Sequence, residues 1–270
     1  GGLSLAVPGQ HKGFALFLKS WAAGGAVGQL SDADLADMDQ ILTALSSNPP
    51  PPVFVDPTDN FTSQIRVRAA LFSEIGITWA QNAEWFGRRF KVGLTPKYVQ
   101  VRTYDYEFIA KELDNTQFDA AANERVDGHL NLDLGLSHRL GERWRLGLVA
   151  KNVFRKEYTT ALGNKVTVAP QLRAGVARDG GWYKLAADLD LTRNGAVDFE
   201  GASRYLSLGM ELDAWRVFQA RLGLRKDLLN NSSGVLTAGL GFSPFGVHVD
   251  VGLAANHNAL GGGLQLGLRW

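Results

Sequence analysis

Two pairs of polar residues stand at alternate positions, where they could share one strand face and act on one substrate. These pairs are His248 with Asp250 and Asp188 with Asp190. A histidine beside a carboxylate can accept a proton from a nucleophile, and two carboxylates can divide the roles of acid and base. However, any polar strand face produces such pairs, because alternate residues of a strand point to the same side.

Other signatures of catalysis or metal binding are missing from the sequence. The five histidines show no metal-ligand spacing, and no GxSxG, HExxH or phosphate-loop motif occurs. The absence of cysteine excludes thiolate chemistry. The glycines at 261–263 precede a strand pattern, whereas a nucleotide cradle precedes a helix. We therefore expect a protein that is not an enzyme, with no catalytic residue, no metal site and no cofactor.

The composition narrows the remaining classes. The 270 residues carry 28 basic and 27 acidic side chains, which give a net charge of +1 and argue against nucleic acid as a partner. Hydrophobic residues make up 45% of the chain, too many for a disordered protein. No stretch approaches the roughly 18 apolar residues that a membrane-spanning helix requires. Soluble proteins and membrane β-barrels remain.

Apolar and polar residues alternate through most of the chain after Asp59, which predicts strands with one apolar face. The clearest example is the set Leu130, Leu132, Leu134 and Leu136, which alternates with polar or small residues. Segments 62–81 and 87–105 are about twice as long as ordinary strands, as a strand that crosses a bilayer and projects beyond it would be. A change of phase in the second segment predicts a bulge near Pro96 and Lys97.

Short turns and long polar loops alternate along the chain. The short turns are centred on Gly141, Gly180, Trp215 and Pro244, and the long loops lie near 106–127, 153–165, 194–203, 226–234 and 255–262. This alternation predicts an all-β fold: an up-and-down antiparallel transmembrane β-barrel that forms a single domain over residues 1–270. About thirteen strands are expected, near 1–7, 11–28, 62–81, 87–105, 128–139, 143–152, 166–178, 182–193, 204–213, 216–225, 235–242, 246–254 and 263–270. Because bacterial barrels have an even number of strands, we expect a further strand before Gly1 and a parent barrel of fourteen.

Residues 29–61 differ in texture and are predicted to be a long extracellular loop inserted in the barrel. Asp32 and Asp34 mark a helix start, and Leu35, Met38 and Ile41 follow at helical spacing. The helix is therefore short and amphipathic. Its apolar stripe either packs against the barrel or contacts the membrane or a partner.

The face opposite the apolar residues would line the barrel interior and carries many charges. These charges could pair across the interior and make the barrel rigid, or they could select solutes in a water-filled passage. The charged residues predicted for the interior are Arg66, Arg68, Glu74, Lys97, Asp133, Arg145, Arg173, Asp188, Glu211, Arg221 and Asp250.

Several strand segments resemble a known family. Segments 67–77 (VRAALFSEIGI), 92–98 (VGLTPKY) and 103–106 (TYDY) are similar to the TraF-type proteins encoded in plasmid conjugal-transfer operons, and 131–136 (NLDLGL) and 144–152 (WRLGLVAKN) fit the same pattern. These proteins are similar in turn to the FadL-like superfamily of outer-membrane transporters for hydrophobic compounds. The resemblance implies a fourteen-stranded porin-like barrel in the bacterial outer membrane.

The end of the sequence agrees with that location. Leu264, Leu266, Leu268 and Trp270 alternate in the last segment and resemble the final-strand signal read by the outer-membrane assembly machinery. We therefore expect outer-membrane lipid and this machinery as partners.

The resemblance implies a FadL-like channel for small hydrophobic or amphipathic compounds, and detergent could occupy the same site. Eight loop aromatics could line a binding pocket at the extracellular mouth: Phe54, Phe61, Tyr104, Tyr106, Phe108, Phe118, Phe154 and Tyr158. For Tyr104, Tyr106, Phe154 and Tyr158, a place in the aromatic girdle at the membrane interface is an equal alternative. The alternative function is a conjugal-transfer anchor or assembly protein that acts through its extracellular loops.

Overall fold

The computed structural model describes residues 1–46, 61–109, 119–195, 201–214, 217–230, 234–257 and 259–268. In these residues the strands are β1 (Gly2–Val7), β2 (Lys12–Gln29), β3 (Gln64–Trp85), β4 (Arg88–Ile109), β5 (Glu124–Leu140), β6 (Trp144–Lys151), β7 (Lys156–Thr159), β8 (Lys165–Val168), β9 (Gln171–Asp179), β10 (Tyr183–Asp190), β11 (Tyr205–Ala214), β12 (Phe218–Asp227), β13 (Val235–Phe242), β14 (Val247–Ala255) and β15 (Leu260–Leu268). The helices are α1 (Asp32–Ser46) and α2 (Ala120–Asn123).

Thirteen of these strands form one antiparallel sheet in chain order, and β7 and β8 pair only with each other. The pairing runs from β1 at one edge to β15 at the other, with β6 beside β9. The predicted all-β, up-and-down antiparallel arrangement is therefore confirmed, with thirteen strands in this sheet. The single strand predicted over 166–178 is wrong, because the chain divides there into β8 and β9.

One side of the sheet, which we call the apolar face, presents aliphatic side chains to the surroundings. The register stacks these side chains across strands: Val251 stands opposite both Leu240 and Leu264. Leu240 is 69% exposed and Leu264 is 67% exposed. In the described residues no second sheet covers this face, as the other half of a water-soluble sandwich would. An apolar surface of this extent requires an apolar neighbour.

The other side, which we call the polar face, carries the charges predicted for the barrel interior. Lys184 stands opposite Glu211, and Glu211 stands opposite Arg221. The register places on the same face Arg66, Arg68, Glu74, Lys97, Asp133, Arg145, Arg173, Asp188 and Asp250.

The bulge predicted near Pro96 and Lys97 is wrong. Lys97 pairs with Gly76 on one side, and Pro96 and Lys97 continue the pairing with β5 without an extra residue. The apparent change of phase has another cause. Val99 and Val101 are apolar residues of the polar face, and each is only 1% exposed because β7 and β8 pack over them.

The two ends of the sheet differ in their connections, and three of the predicted loops are corrected. The loop predicted near 106–127 is shorter, because β4 continues to Ile109 and β5 begins at Glu124. Short turns join the strands at one end, which we call the short-turn rim, and most of the long connections lie at the other end. The segment near 153–165 was predicted to be a polar loop, but it contains most of the β7–β8 hairpin. The connection near 255–262 was predicted to be long, but it spans only 256–259, because Asn256 and Ala259 close it with reciprocal hydrogen bonds.

The helix predicted within 29–61 is confirmed as α1. The Ser31 hydroxyl accepts a hydrogen bond from the Asp34 amide at 3.1 Å and so caps the helix. Residues 47–60 lie outside the described residues. The stripe formed by Leu35, Met38 and Leu42 is exposed. Among the described residues, no helix is long and apolar enough to cross a membrane.

Candidate functional site

The β7–β8 hairpin lies on the polar face of β3, β4 and β5. Tyr158, Val166 and Val168 from the hairpin form a buried apolar cluster with side chains of β3 and β4, namely Ala70, Phe72, Val99 and Val101. Val166 is fully buried. Burying an aliphatic side chain of this size contributes about 1.5–3 kcal/mol, so the hairpin has an apolar base of its own.

A buried carboxylate fastens the end of the hairpin. Asp105 Oδ2 accepts hydrogen bonds from Thr160 Oγ1 at 2.5 Å and Asn164 Nδ2 at 2.8 Å. Arg68 Nε lies 3.6 Å from Asp105 Oδ1 and supplies the opposite charge. A carboxylate that is 1% exposed needs such partners, because an unpaired buried charge is costly.

The base of the hairpin is held by polar contacts to β5. Asn131 donates from Nδ2 to the Phe154 carbonyl at 2.9 Å and accepts at Oδ1 from the Phe154 amide at 3.1 Å. The Tyr158 hydroxyl lies 2.5 Å from His129 Nδ1. Burial, followed by the nearby Asp127 carboxylate, raises the pKa of Tyr158 above its ordinary value, so the hydroxyl stays protonated. These contacts fix the hairpin at both ends.

Below the hairpin, Lys97 is buried between two carboxylates. Its Nζ lies 3.2 Å from Glu74 Oε2 and 3.0 Å from Asp133 Oδ2. Asp133 also accepts a hydrogen bond from the Asn152 amide at 2.8 Å. The cluster therefore joins β3, β4 and β5 to the start of the β6–β7 connection.

A second group of charges crosses the opposite part of the polar face, near the short-turn rim. We call the row formed by Lys184, Glu211, Arg221, Asp250 and His248 the charge ladder. Glu211 pairs through Oε1 with Lys184 Nζ at 2.6 Å and through Oε2 with Arg221 Nε at 2.7 Å. Arg221 also pairs with Asp250, and Asp250 lies 2.5 Å from His248 Nε2. The ladder joins β10, β11, β12 and β14.

A cavity of about 1030 Å³ lies against this part of the sheet. Four members of the charge ladder line one side of it, and the rest of its lining combines a glycine floor (Gly209, Gly223, Gly239, Gly252 and Gly263) with larger apolar residues such as Leu208, Leu222 and Leu264. An added Cβ would meet open space at Gly263. At Gly263 the absence of a side chain therefore leaves room within the cavity.

The structure does not bring the predicted ligand-binding aromatics together. Tyr104, Tyr106 and Phe108 share a strand parity that points away from the polar face, and the rings of Tyr106 and Phe108 stack at 5.7 Å. Tyr158 is buried on the polar face under the hairpin, where a girdle residue would not lie. Phe154 is 56% exposed, Phe61 is half-buried, and Phe54 and Phe118 lie outside the described residues.

The remaining predicted residues are distributed as follows. Arg66 pairs with Glu107 at 3.3 Å, and Arg173 pairs with Asp190 at 2.6 Å. Leu264, Leu266 and Leu268 alternate on the apolar face of β15, and Trp270 lies outside the described residues.

Sequence reasoning missed the residues that fasten the hairpin, namely Thr160 and Asn164. A signal was present, because Gly163 and Asn164 form a turn pair between two short alternating runs. Gly163 takes the positive φ of 82° that such a turn favours. The hydrogen bond between the Ser243 hydroxyl and His248 Nδ1 carried no sequence signal, because it depends on how β13 turns into β14.

A family model described as F plasmid transfer operon, TraF, protein matches residues 1–190. No curated protein matches the sequence. One similar solved structure is a mutant of Rh. blastica porin, which is 7% identical, with 93% of this chain and 98% of that chain covered at a TM-score of 0.36. A TM-score of this size leaves the fold assignment to the strand pairing itself.

Proposed function

The chain belongs to the family of F plasmid transfer operon TraF proteins, and we propose that it is an outer-membrane β-barrel that acts as a FadL-like channel for small hydrophobic or amphipathic compounds. The observation that carries this proposal is the two-sided sheet: exposed leucines on one face and ion-paired charges on the other. In a bilayer the apolar face meets lipid and the polar face lines the interior of the closed barrel.

The hairpin and the cavity on the polar face support a passage that is narrow on one side. The β7–β8 hairpin occupies the part beside β3, β4 and β5, and the cavity lies beside β10–β15. A cavity of about 1030 Å³ is of the size that holds small organic ligands. We propose that solutes pass through the barrel along the β10–β15 side.

The lining of the cavity suggests the class of solute. The charges of the ladder largely neutralise one another, so the passage has no strong preference for anions or cations. The glycine floor offers bare backbone and CH₂ surface to an apolar chain. A compound with an apolar body and one polar group fits both surfaces.

Reconstitution into lipid vesicles tests the channel. We expect measurable conductance and uptake of a fluorescent amphiphile, and a strong reduction of both in Gly252→Trp, whose side chain would fill the cavity. Gly135→Trp is the matched control, because Gly135 also lies on the polar face, an added Cβ there would meet open space, and Gly135 does not line the cavity. A closed wild-type barrel that binds no hydrophobic ligand would exclude the channel.

A second candidate function, an anchor in conjugation, is favoured by the exposed stripe of α1. Leu35, Met38 and Leu42 present an apolar strip at the end of the molecule where the long connections lie. Replacing all three with serine should lower mating efficiency and leave conductance unchanged if the loop binds a partner. Unchanged mating would remove support for the anchor.

A further inference from the structure

Three side chains at the short-turn rim, two of them members of the charge ladder, form a hydrogen-bonded row. Asp250 Oδ2 lies 2.5 Å from His248 Nε2, and Ser243 Oγ makes a hydrogen bond with His248 Nδ1. We propose that this row is a serine hydrolase site, in which Ser243 is the nucleophile and His248 the general base for cleavage of carboxylic esters.

The hydrogen-bond pattern determines which atom carries which proton. Asp250 is an acceptor, so the proton of a neutral His248 resides on Nε2 and Nδ1 is left with a free electron pair. The Ser243 hydroxyl must then donate the hydrogen bond to Nδ1. A second contact, from Ser243 Oγ to Gln219 Oε1 at 3.2 Å, competes for the same proton. Of the two partners, only the imidazole is a base that can activate a serine.

Asp250 is held in place by its neighbours on the polar face. Arg221 pairs with Asp250 Oδ1, and Arg221 Nε is held by Glu211 Oε2 at 2.7 Å. Asp250 therefore presents its other oxygen to His248, which makes it a positioning residue for the imidazole.

The row is accessible to a substrate. The His248 side chain is 34% exposed and Ser243 is half-buried. The cavity lined by Asp250 and Arg221 lies beside the row on the polar face. The turn that joins Ser243 to His248 is closed by a hydrogen bond from the Val247 amide to the Pro244 carbonyl at 2.9 Å. This tight turn holds the end of β13 beside the start of β14.

The reaction needs only an ester and water. Ser243 Oγ bonds to the ester carbonyl carbon, its proton moves to His248 Nδ1, and the carbonyl π pair moves to oxygen. When the carbonyl re-forms, the bond to the alkoxy group breaks and the departing alcohol takes the proton from Nδ1. Water then bonds to the acyl carbon and gives a proton to Nδ1, the acyl–Oγ bond breaks, and that proton returns to Ser243. The products are an acid and an alcohol.

The test uses the refolded full chain in detergent, with a fluorophosphonate probe and p-nitrophenyl butyrate. We expect covalent labelling at Ser243 and ester hydrolysis in the wild type. Ser243→Ala should abolish labelling, and His248→Asn should lower hydrolysis by about 100-fold or more. Asp250→Asn should lower kcat while KM changes little, because the tautomer is lost and the ester contacts remain.

Ser137→Ala is the matched control, because Ser137 lies on the polar face of β5 near the same rim, opposite Gly147. It should retain full labelling and hydrolysis. Heat-dependent mobility in gels verifies that each variant is folded. No labelling of the folded wild type, or labelling that persists in Ser243→Ala, would overturn the proposal. Conductance should be unchanged in Ser243→Ala, so this test is independent of the channel.

Discussion

Two lysines on the polar face make similar ion pairs but differ in how deeply they are buried. The Lys97 side chain is 2% exposed and touches two carboxylates, whereas the Lys184 side chain is 49% exposed and touches one. Removing a buried partner leaves uncompensated charge, which costs about 3–5 kcal/mol, whereas an exposed pair contributes about 0–1 kcal/mol. We expect Lys97→Met to lower the free energy of unfolding several times more than Lys184→Met in urea titrations of the lipid-folded protein. Equal losses would contradict the burial of the Lys97 cluster.

Asp34 links the start of α1 to the start of β3 and gives that junction a pH dependence. Burial raises the pKa of Asp34, but hydrogen bonds from Ser63, the Thr62 amide and their neighbours outweigh it and hold the pKa well below its ordinary value. Because the folded pKa is depressed, this stabilisation is complete above the ordinary pKa of about 3.9 and is lost as the pH falls toward the folded pKa. We expect the Ser63 amide to stay protected from hydrogen exchange at pH 5 and to lose protection in stronger acid.

Asp34→Ala should remove that protection at every pH. Asp32→Ala is the control, since Asp32 lies in the same helical turn and its side chain is exposed. Loss of protection in both variants would assign the effect to the helix end and not to the Asp34 contacts.

For individual residues, the sequence predicted which of them share a face but not which of them contact each other. Alternation alone puts Lys97 and Asp133 on the polar face, because strand geometry has a period of two. The partner of each charge depends on the register between strands, which pairs Lys97 with Asn131 and leaves Asp133 one step away along the same face. The contact of Ser243 with His248 depends in the same way on the geometry of one turn.

Among the elements, the β7–β8 hairpin is the one that the sequence pattern did not predict. Val166 and Val168 continue the parity of Leu172, so the pattern reads as one strand from 166 to 178. The chain is in fact broken at Ala169 and Pro170. Proline has no amide proton to donate to a ladder, so it ends β8 before β9 begins. The long sheet strands were predictable because their alternation extends over eight or more residues.

The hairpin fills the polar face of β3–β5, so its removal should widen the passage. Replacing residues 156–168 with a short Gly-Ser linker is expected to raise single-channel conductance and leave the antiparallel sheet folded, as checked by circular dichroism. Arg155→Ala is the control, because it removes only an exposed pair with Glu157. Conductance that stays at the wild-type value after the deletion would show that the hairpin does not narrow the passage.

For the molecule as a whole, the proposed barrel requires that lipid surrounds the apolar face. Two tryptophans can report whether lipid or water lies there. Trp144 lies on the apolar face of β6 and is 45% exposed, whereas Trp21 lies on the polar face of β2 and stacks on Phe72 with ring centroids 4.1 Å apart. In variants that retain one of these tryptophans and carry phenylalanine at the others, brominated lipids should strongly quench Trp144. Trp21 should be quenched weakly, because the sheet lies between it and the acyl chains. Aqueous iodide should show the reverse order. If Trp144 is quenched by iodide and not by brominated lipid, the leucine-rich face lies in water, and the outer-membrane barrel must be abandoned.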